Sequence, residues 1–351
     1  MSIGIDLGLS TVKIVEIIKN EDKYYVEKAG IINLMPSIEK YNPEKINKSH
    51  WVSAIQDLSR DLKIQPKKAK VITSNISSKD VSARQITMLE MSNEELESTL
   101  ELEAKKYIQL DGSDPVVDFH IIGQSPTELD KINLLYFATT KNIVNKHHEI
   151  IKESGFKTGQ FNTDSIGLIN SYLRQNQLPD SGVDVIINIG SSSTQLIIWG
   201  KNHPFYVREI EISGYHFIKY IAEKKQLSLE EAEKYLKEKG VQNSSEESTL
   251  KDEDSNSIKI EEKTIFDNLT DEIRKTLRYY MKNNNQAFFN KFLVSGGSSK
   301  TPHLSDYIAG ELKITLSEFN PFENMELKSE INSKSQYAVA VGLAIAGLEQ
   351  N

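Results

Sequence analysis

The chain has 351 residues, with 42 Lys and Arg against 50 Asp and Glu, a net charge of −8 and no cysteine. The acidic balance argues against nucleic acid as the main ligand, because phosphate backbones are held by clustered Lys and Arg. Without cysteine there is no disulfide framework, iron–sulfur cluster or thiol chemistry, and the length suits two globular domains.

Residues 3–32 read as a three-strand meander, Ile3–Leu7, Thr11–Ile18 and Tyr24–Ile32, with short polar turns between the strands. Helical spacing of Trp51, Ile55, Leu58 and Leu62 predicts a helix over Ser49–Leu62. Ala69–Ser74 reads as a buried strand. From Arg84 to about Gly159 the texture changes. Ser92-Asn-Glu-Glu95 is a capping box for a helix with Leu96, Leu100, Ala104 and Tyr107 on one face. Strands Val116–Ile122 and Ile132–Thr139 follow, then a helix over Lys141–Ser154 with Gly155 as its C-cap. This strand-helix-strand-strand-helix block, residues 84–159, is expected to be a small α+β module inserted before the first lobe is complete. The adjacent His147 and His148 read as a surface pair, and the histidines show no metal-ligand spacing.

Asp164–Leu173 reads as a helix, and Val183–Ile189, Thr194–Trp199 and Tyr206–Ile212 as a second meander. Ser228-Leu-Glu-Glu231 is another capping box, opening a charged helix that ends near Gly240. Residues 243–257 hold five Ser, five Asp or Glu and one Lys, a composition that cannot bury a core, so a mobile surface loop is expected. A helix over Lys263–Lys282 keeps Phe266, Leu269, Ile273 and Leu277 in register. Phe292–Ser295 is a short strand that ends in Gly296-Gly297. A closing helix, Gln336–Gly347, is rich in Ala and Gly and can pack closely. The apolar run Tyr337–Leu348 is shorter than the ~20 residues a bilayer span needs. Met1-Ser2 lead straight into a strand, so no secretory leader is expected and the chain is expected to be cytoplasmic.

One short phrase occurs twice at an offset of 182 positions. Asp6 pairs with Asn188, Gly8 with Gly190, Ser10 with Ser192 and Thr11 with Ser193. Each copy is a strand, a Gly-centred polar turn and a second strand. Two such hairpins, one per lobe, can grip a nucleotide's phosphates from opposite sides. Backbone N–H groups and hydroxyls cradle phosphate, while Gly8 and Gly190 let main chain come close. Ser10, Thr11, Ser191, Ser192 and Ser193 offer hydroxyl donors. Lys13 can place a cation on phosphate oxygens, and Asp6 can hold a hydrated Mg²⁺. A third glycine site, Leu293-Val-Ser-Gly-Gly-Ser-Ser299, supplies a flat ledge on which a ring can lie.

The order of hairpin, inserted module, hairpin, diglycine and Ala/Gly-rich closing helix resembles the actin/Hsp70/sugar-kinase ATPase superfamily. Within it the chain resembles the PilM family, FtsA-like proteins of type IV pilus assembly, over nearly its whole length. The resemblance is carried by Asp6-Leu-Gly-Leu-Ser-Thr-Val-Lys13-Ile-Val-Glu16 and, in the inserted module, by Ser82-Ala-Arg-Gln-Ile, Glu94-Glu-Leu, Glu103-Ala-Lys-Lys-Tyr-Ile108 and Val117-Asp-Phe119. Thr163-Asp-Ser165 and Tyr337-Ala-Val-Ala-Val-Gly-Leu-Ala344 resemble the two connecting helices. Glu231-Ala-Glu233 and Glu272-Ile-Arg274-Lys-Thr-Leu277 resemble the helices of the second lobe.

The resemblance implies an α/β, two-lobed actin-like fold with two RNase H-like lobes and an FtsA-like subdomain in the first. Residues 1–83, 160–180 and 317–351 would form the first lobe and 84–159 the insert. Residues 181–212 and 266–316 would form the second-lobe core, and 213–265 its smaller subdomain. ATP with Mg²⁺ would lie between the lobes. Asp6 would act on Mg²⁺ through waters, with Gly8, Leu9, Ser10, Thr11 and Lys13 on phosphate. Asn188, Gly190, Ser191, Ser192 and Ser193 would form the other phosphate face, and Gly296, Gly297 and Ser298 would contact adenosine. Glu233 and Lys237 would reach ribose or adenine, although a solvated helical pair explains them as well. Asp164 stands where relatives place a water-positioning side chain, and a helix N-cap explains it as well.

Two departures stand out. The family's second phosphate motif carries Asp where this chain has Asn188, so ATP binding with slow or absent hydrolysis is expected. Gln109-Leu110 replaces a Pro-Phe near the insert's expected partner surface. The resemblance further implies a cytoplasmic adaptor, peripheral at the inner membrane through partners. It would take the N-terminal cytoplasmic tail of a PilN-like membrane protein in the groove between first lobe and insert, with other pilus components and self-association as further contacts. The chain runs out just past the closing helix, so no amphipathic membrane helix and no direct insertion are expected. An FtsA-like polymer-forming division protein stays open. A small-molecule kinase needs a carboxylate facing an acceptor hydroxyl, and no such signature is present. A dehydratase activator needs cluster cysteines, and an Hsp70-type chaperone needs a longer chain.

Overall fold

β1 (Ser2–Leu7) is buried along its entire length, which places it inside a sheet rather than at an edge. In the computed structural model, which describes residues 1–109, 111–125, 128–157, 159–241, 263–284 and 288–349, it is the centre of the first lobe. β1 pairs antiparallel with β2 (Thr11–Asn20), and β2 with β3 (Lys23–Asn33). On its other side β1 runs parallel to β4 (Ile72–Ile76). β8 (Gln160–Thr163) and β14 (Met325–Leu327) end the sheet, whose order is β14-β3-β2-β1-β4-β8.

α1 (Lys48–Asp61), capped by Asn47, buries Trp51, Ala54, Ile55 and Leu58 on this sheet. The inserted module is a second sheet in the order β5-β7-β6, formed by β5 (Ser82–Leu89), β6 (Pro115–Gln124) and β7 (Lys131–Thr140). α2 (Asn93–Ala104), opened by the Ser92–Glu95 capping box, covers one face with Leu96, Leu100 and Ala104 against Leu134 and Tyr136. The helix expected to close the module behaves differently. α3 (Lys141–Glu153) sends Ile150 and Ile151 into the first-lobe core beside α1, because its apolar stripe faces α1 and not the inserted sheet.

The second lobe repeats the plan of the first. β9 (Val183–Ile189) is flanked by antiparallel β10 (Thr194–Gly200) and parallel β12 (Phe289–Ser295), with β11 (His203–Ile210) and β13 (Leu316–Glu318) outermost. Its core takes side chains from α5 (Gly214–Lys225), α6 (Leu229–Lys239), α7 (Ile265–Asn283) and α8 (Leu304–Leu312). The expected loop 243–257 and Leu110 lie outside the described residues.

Two helices join the lobes. α4 (Asp164–Leu173) and α9 (Ala338–Glu349) cross in contact, and Ala338 to Gly347 are all buried. A Cβ on Gly342 would stand 1.7 Å from the carbonyl oxygen of Gly167, so only glycine permits this approach. Among the described residues no helix is long and apolar enough to cross a membrane.

Candidate functional site

The two repeated hairpins face one another across a cleft of about 450 Å³. β1 and β2 carry the first turn, and β9 and β10 carry the second. Asp6, Gly8, Leu9, Ser10, Thr11 and Lys13 line the first side. Asn188, Gly190, Ser191 and Ser192 line the other, with Gly296, Gly297 and Ser298 beyond them.

Charge on the first side is tightly organised. Asp6, 6% exposed, stands across the ladder from Lys13, and Lys13 Nζ reaches Asp6 Oδ2 at 3.0 Å. Asn75 at the end of β4 links this turn to the connecting helix. Its Oδ1 accepts from Leu7 N at 2.6 Å and its Nδ2 donates to Asp164 Oδ1 at 2.5 Å. The second Asp164 oxygen accepts from Ser78 N at 3.3 Å. Burial pushes the Asp164 carboxyl up to about 7, helped by like charge on Asp6 and Glu209 and opposed by the Asn75 and Ser78 donors. Trp51 Nε1 donates to Gly8 O at 2.9 Å and ties α1 to the turn.

The N-cap explanation of Asp164 does not hold. Thr163 is the N-cap of α4, its hydroxyl accepting from Ile166 N, and Asp164 is left free to project into the cleft.

The second turn has the same backbone with the charge removed. Asn188 stands across the ladder from Gln195, where the first turn pairs Asp6 with Lys13. Gln195 Nε2 donates to Ser78 Oγ at 2.7 Å, a direct contact between the lobes. Ser193 is not in the cleft wall; its hydroxyl donates to Glu209, whose carboxyl burial raises above the usual range. Hydrogen bonds to its carbonyls hold the turn in place. Gly214 N reaches Gly190 O at 3.1 Å, Tyr215 N reaches Ser191 O at 2.9 Å, and Ser298 Oγ donates to Gly190 O at 2.8 Å. Gly296 has φ 92°, and a Cβ there would lie 2.3 Å from Ile189 O, so the diglycine turn depends on glycine.

Beyond the turns the cleft continues into a compartment of about 270 Å³. Glu233 and Lys237 line it from α6, ion-paired at 3.0 Å, with Tyr215, Gly297 and Ser298. Ser10, Ser191, Gly297 and Ser298 line both spaces, so the two adjoin.

Several cleft residues escaped the sequence reading. Lys79 and Asp80 come from the loop after β4, and Lys146 and His147 from α3. His147 is not on the surface: it is 6% exposed, and burial, with Lys146 beside it, lowers its pKa to about 4. The helical period placing His147 beside Ile150 and Ile151 on the apolar stripe was the available signal.

For a divalent cation, the described residues contain no cluster of three or more His, Cys, Asp or Glu. Mg²⁺ needs no such cage, because it keeps waters and binds through one or two carboxylates and substrate phosphates. Asp6 and Asp164 are two carboxylates that line the cleft and would be the ones to hold it.

A second cavity of about 700 Å³ lies between the first lobe and the inserted module. Val117 and Phe119 on β6, Leu135 and Phe137 on β7, Phe161 on β8 and Ile166 on α4 make its walls largely apolar. β6 and β8 each stand at the end of their sheet, so it is bounded by two strand edges.

A family model described as type IV pilus assembly protein PilM matches residues 4–348. A solved PilM–PilN type IV pilus biogenesis complex superposes with a TM-score of 0.76 at 20% identity, covering 99% of this chain and 98% of that one. The ethanolamine utilization protein EutJ from Carboxydothermus hydrogenoformans gives a TM-score of 0.53 at 10% identity, covering 98% and 88%. MreB 5 of Spiroplasma citri bound to AMPPNP gives 0.50 at 13% identity, covering 99% and 96%. The fold is therefore the actin-like ATPase fold expected from the sequence.

Proposed function

The chain belongs to the family of type IV pilus assembly proteins PilM, and we propose that within it the protein is an ATP-binding adaptor that presents a groove to the cytoplasmic tail of a PilN-like membrane protein. The observation that carries this reading is the pairing of two separate sites: a polar cleft with two opposed phosphate turns and an apolar groove with two strand edges.

In the cleft, ATP phosphates sit between Gly8–Thr11 and Gly190–Ser192, with Lys13 neutralising their charge and Asp6 and Asp164 holding hydrated Mg²⁺. The metal would supply charge neutralisation of the phosphates. Gly296, Gly297 and Ser298 underlie the nucleoside, with Glu233 and Lys237 at its far side. A water-activating carboxylate at position 188 is replaced by an amide, so hydrolysis is slow or absent. ATP then acts as a structural ligand, stabilising the closed protein by mass action.

An extended tail suits the groove. Its backbone can pair with a strand edge while alternate side chains enter the apolar wall. Attachment to the inner membrane would come through that partner.

Calorimetric titration with Mg-ATP, then with a synthetic N-terminal peptide of the PilN-like partner, tests both halves. Expected outcomes are ATP heat lost in Asp6→Ala and peptide heat lost in Val116→Arg, which places a charge at the groove rim. ATP binding without peptide binding removes the adaptor reading and keeps the nucleotide site. Binding of neither removes both.

A further inference from the structure

Residues 34–47 run between β3 and α1 as a strap with two short 3-10 turns, Ile38–Lys40 and Pro43–Lys45. Both ends are fixed to the first lobe. Leu34 N donates to Ser10 O at 2.8 Å, and Asn47 caps α1. The middle of the strap engages the second lobe instead. Glu39 Oε1 accepts from Glu230 N at 3.0 Å in the first turn of α6, where unsatisfied N–H groups and the helix dipole favour a carboxylate. Tyr41 is 5% exposed. Its ring stands edge-on to that of Tyr215 on α5, with centroids 5.0 Å apart and planes at 89°, a favourable aromatic arrangement. The Tyr41 hydroxyl donates to Ser191 Oγ at 3.4 Å.

These contacts lie over the neck of the cleft. Ile38 and Tyr41 line the outer compartment and Ile46 lines the phosphate compartment. Ser191, the residue beneath the Tyr41 hydroxyl, lines both. A ligand filling the two compartments at once would run past Ser191 and the Tyr41 hydroxyl bonded to it. The contact to Ser191 is long, so the hydroxyl can turn to a closer acceptor, such as a phosphate or ribose oxygen. Burial raises the Tyr41 pKa, which keeps the group a donor throughout the physiological range.

We propose that the strap is a latch on bound nucleotide, with Tyr41 a first-lobe residue that touches the ligand where ribose meets phosphate and Glu39 the catch that holds the strap to α6. This rests on the nucleotide reading of the cleft. The strap adds a closure from the first lobe to a compartment whose other walls, Ser10 apart, come from the second. Its polar and aromatic contacts to that lobe are one carboxylate bond, the long hydroxyl bond to Ser191 and one aromatic edge, so it parts from the second lobe without unfolding it. Its main effect is therefore on the rate of release.

Release of a fluorescent methylanthraniloyl-ATP, chased with excess ATP in a stopped-flow instrument, reads the latch directly. Tyr41→Ala is expected to release about tenfold faster than the parent and Glu39→Gln about threefold faster, with most of the change in the dissociation rate. Tyr41→Phe, which keeps the ring against Tyr215, is expected to retain most of the slow release. The chain has no cysteine, so Glu39→Cys/Glu230→Cys can be joined uniquely by a short bis-maleimide linker. Exchange through the sealed strap is expected to slow about tenfold or more. The sealed protein also decides the matter should Tyr41→Ala fail to fold. If the parent binds the probe but both Tyr41→Ala and the sealed variant release it within twofold of the parent rate, the latch is wrong and the nucleotide site stands. If the parent does not bind the probe, the nucleotide reading falls and the latch with it.

Discussion

The two phosphate turns share a backbone and differ in charge. In the first, Asp6 and Lys13 form a largely buried ion pair, and the Asn75–Asp164 chain stands behind it. Asn188 and Gln195 occupy the same ladder positions in the second, and Glu209, on the neighbouring strand, is engaged by Ser193. Hairpin geometry has thus been kept while its charged chemistry has been taken out of one copy. Backbone N–H groups suffice to cradle phosphate, whereas hydrolysis needs charge placed on both sides of the reacting group. The asymmetry fits the proposed role of ATP as a bound ligand that is hydrolysed slowly or not at all.

Five substitutions break or sharpen this contrast. Asp6→Ala removes one member of a buried pair and strands Lys13, and Mg-ATP affinity measured by calorimetry is expected to fall roughly 100-fold or more. Gly296→Ala forces a left-handed backbone onto alanine and drives its Cβ into Ile189 O beside the second turn. Urea unfolding is expected to show a loss of about 2 kcal/mol. Asn188→Asp gives the second turn a carboxylate at the position of Asp6 in the first, and single-turnover hydrolysis is expected to rise about tenfold. An unchanged rate would show that the missing carboxylate is not what limits hydrolysis.

Asp164 gives a smaller effect with a defined pH dependence. Its carboxyl is held near about 7 in the folded protein against an ordinary value of 3.8. Between those values the folded form keeps a proton that the unfolded chain has released. The stability tied to that proton is present at low pH and is lost as pH rises through the folded value. Asp164→Asn removes the dependence, so its stability relative to the parent is expected to improve by about 1 kcal/mol between pH 6 and pH 7 in thermal unfolding. The smallest effect is expected at Ser193. Its hydroxyl faces Glu209 and not the cleft, so nucleotide affinity in Ser193→Ala should stay within about twofold, as expected of a residue outside the contact set.

Much of the fold was legible because local chemistry and tertiary role agreed. Both hairpins alternate or run apolar around a polar turn, and the capping boxes at Ser92 and Ser228 mark helices that begin where the motif says. α4 runs over the residues read from the sequence because Thr163 caps it. The misreadings have physical causes. α5 opens at Gly214 without a side-chain cap, held by backbone bonds to the second phosphate turn, so no local signal announces it. β8, β13 and β14 are three or four residues long and owe their state to pairing. At the cleft, the Gly-centred turns could be read directly. Tyr41, Lys79 and His147 could not, since what brings them to Ser191, Asp6 or Asp164 is tertiary packing across long stretches of chain.

The crossing of α4 and α9 carries a mechanical consequence. Where Gly342 meets Gly167, main chain rests on main chain, and β1 meets the same helix at Gly4. The Val339 side chain packs on Gly167 in the same place, and Leu168, Ile169 and Tyr172 share one apolar cluster with Ala338, Val339 and Leu343. The junction is therefore a keyed fit with no spare room, and a side chain at position 342 would act as a wedge that pushes the two connecting helices apart.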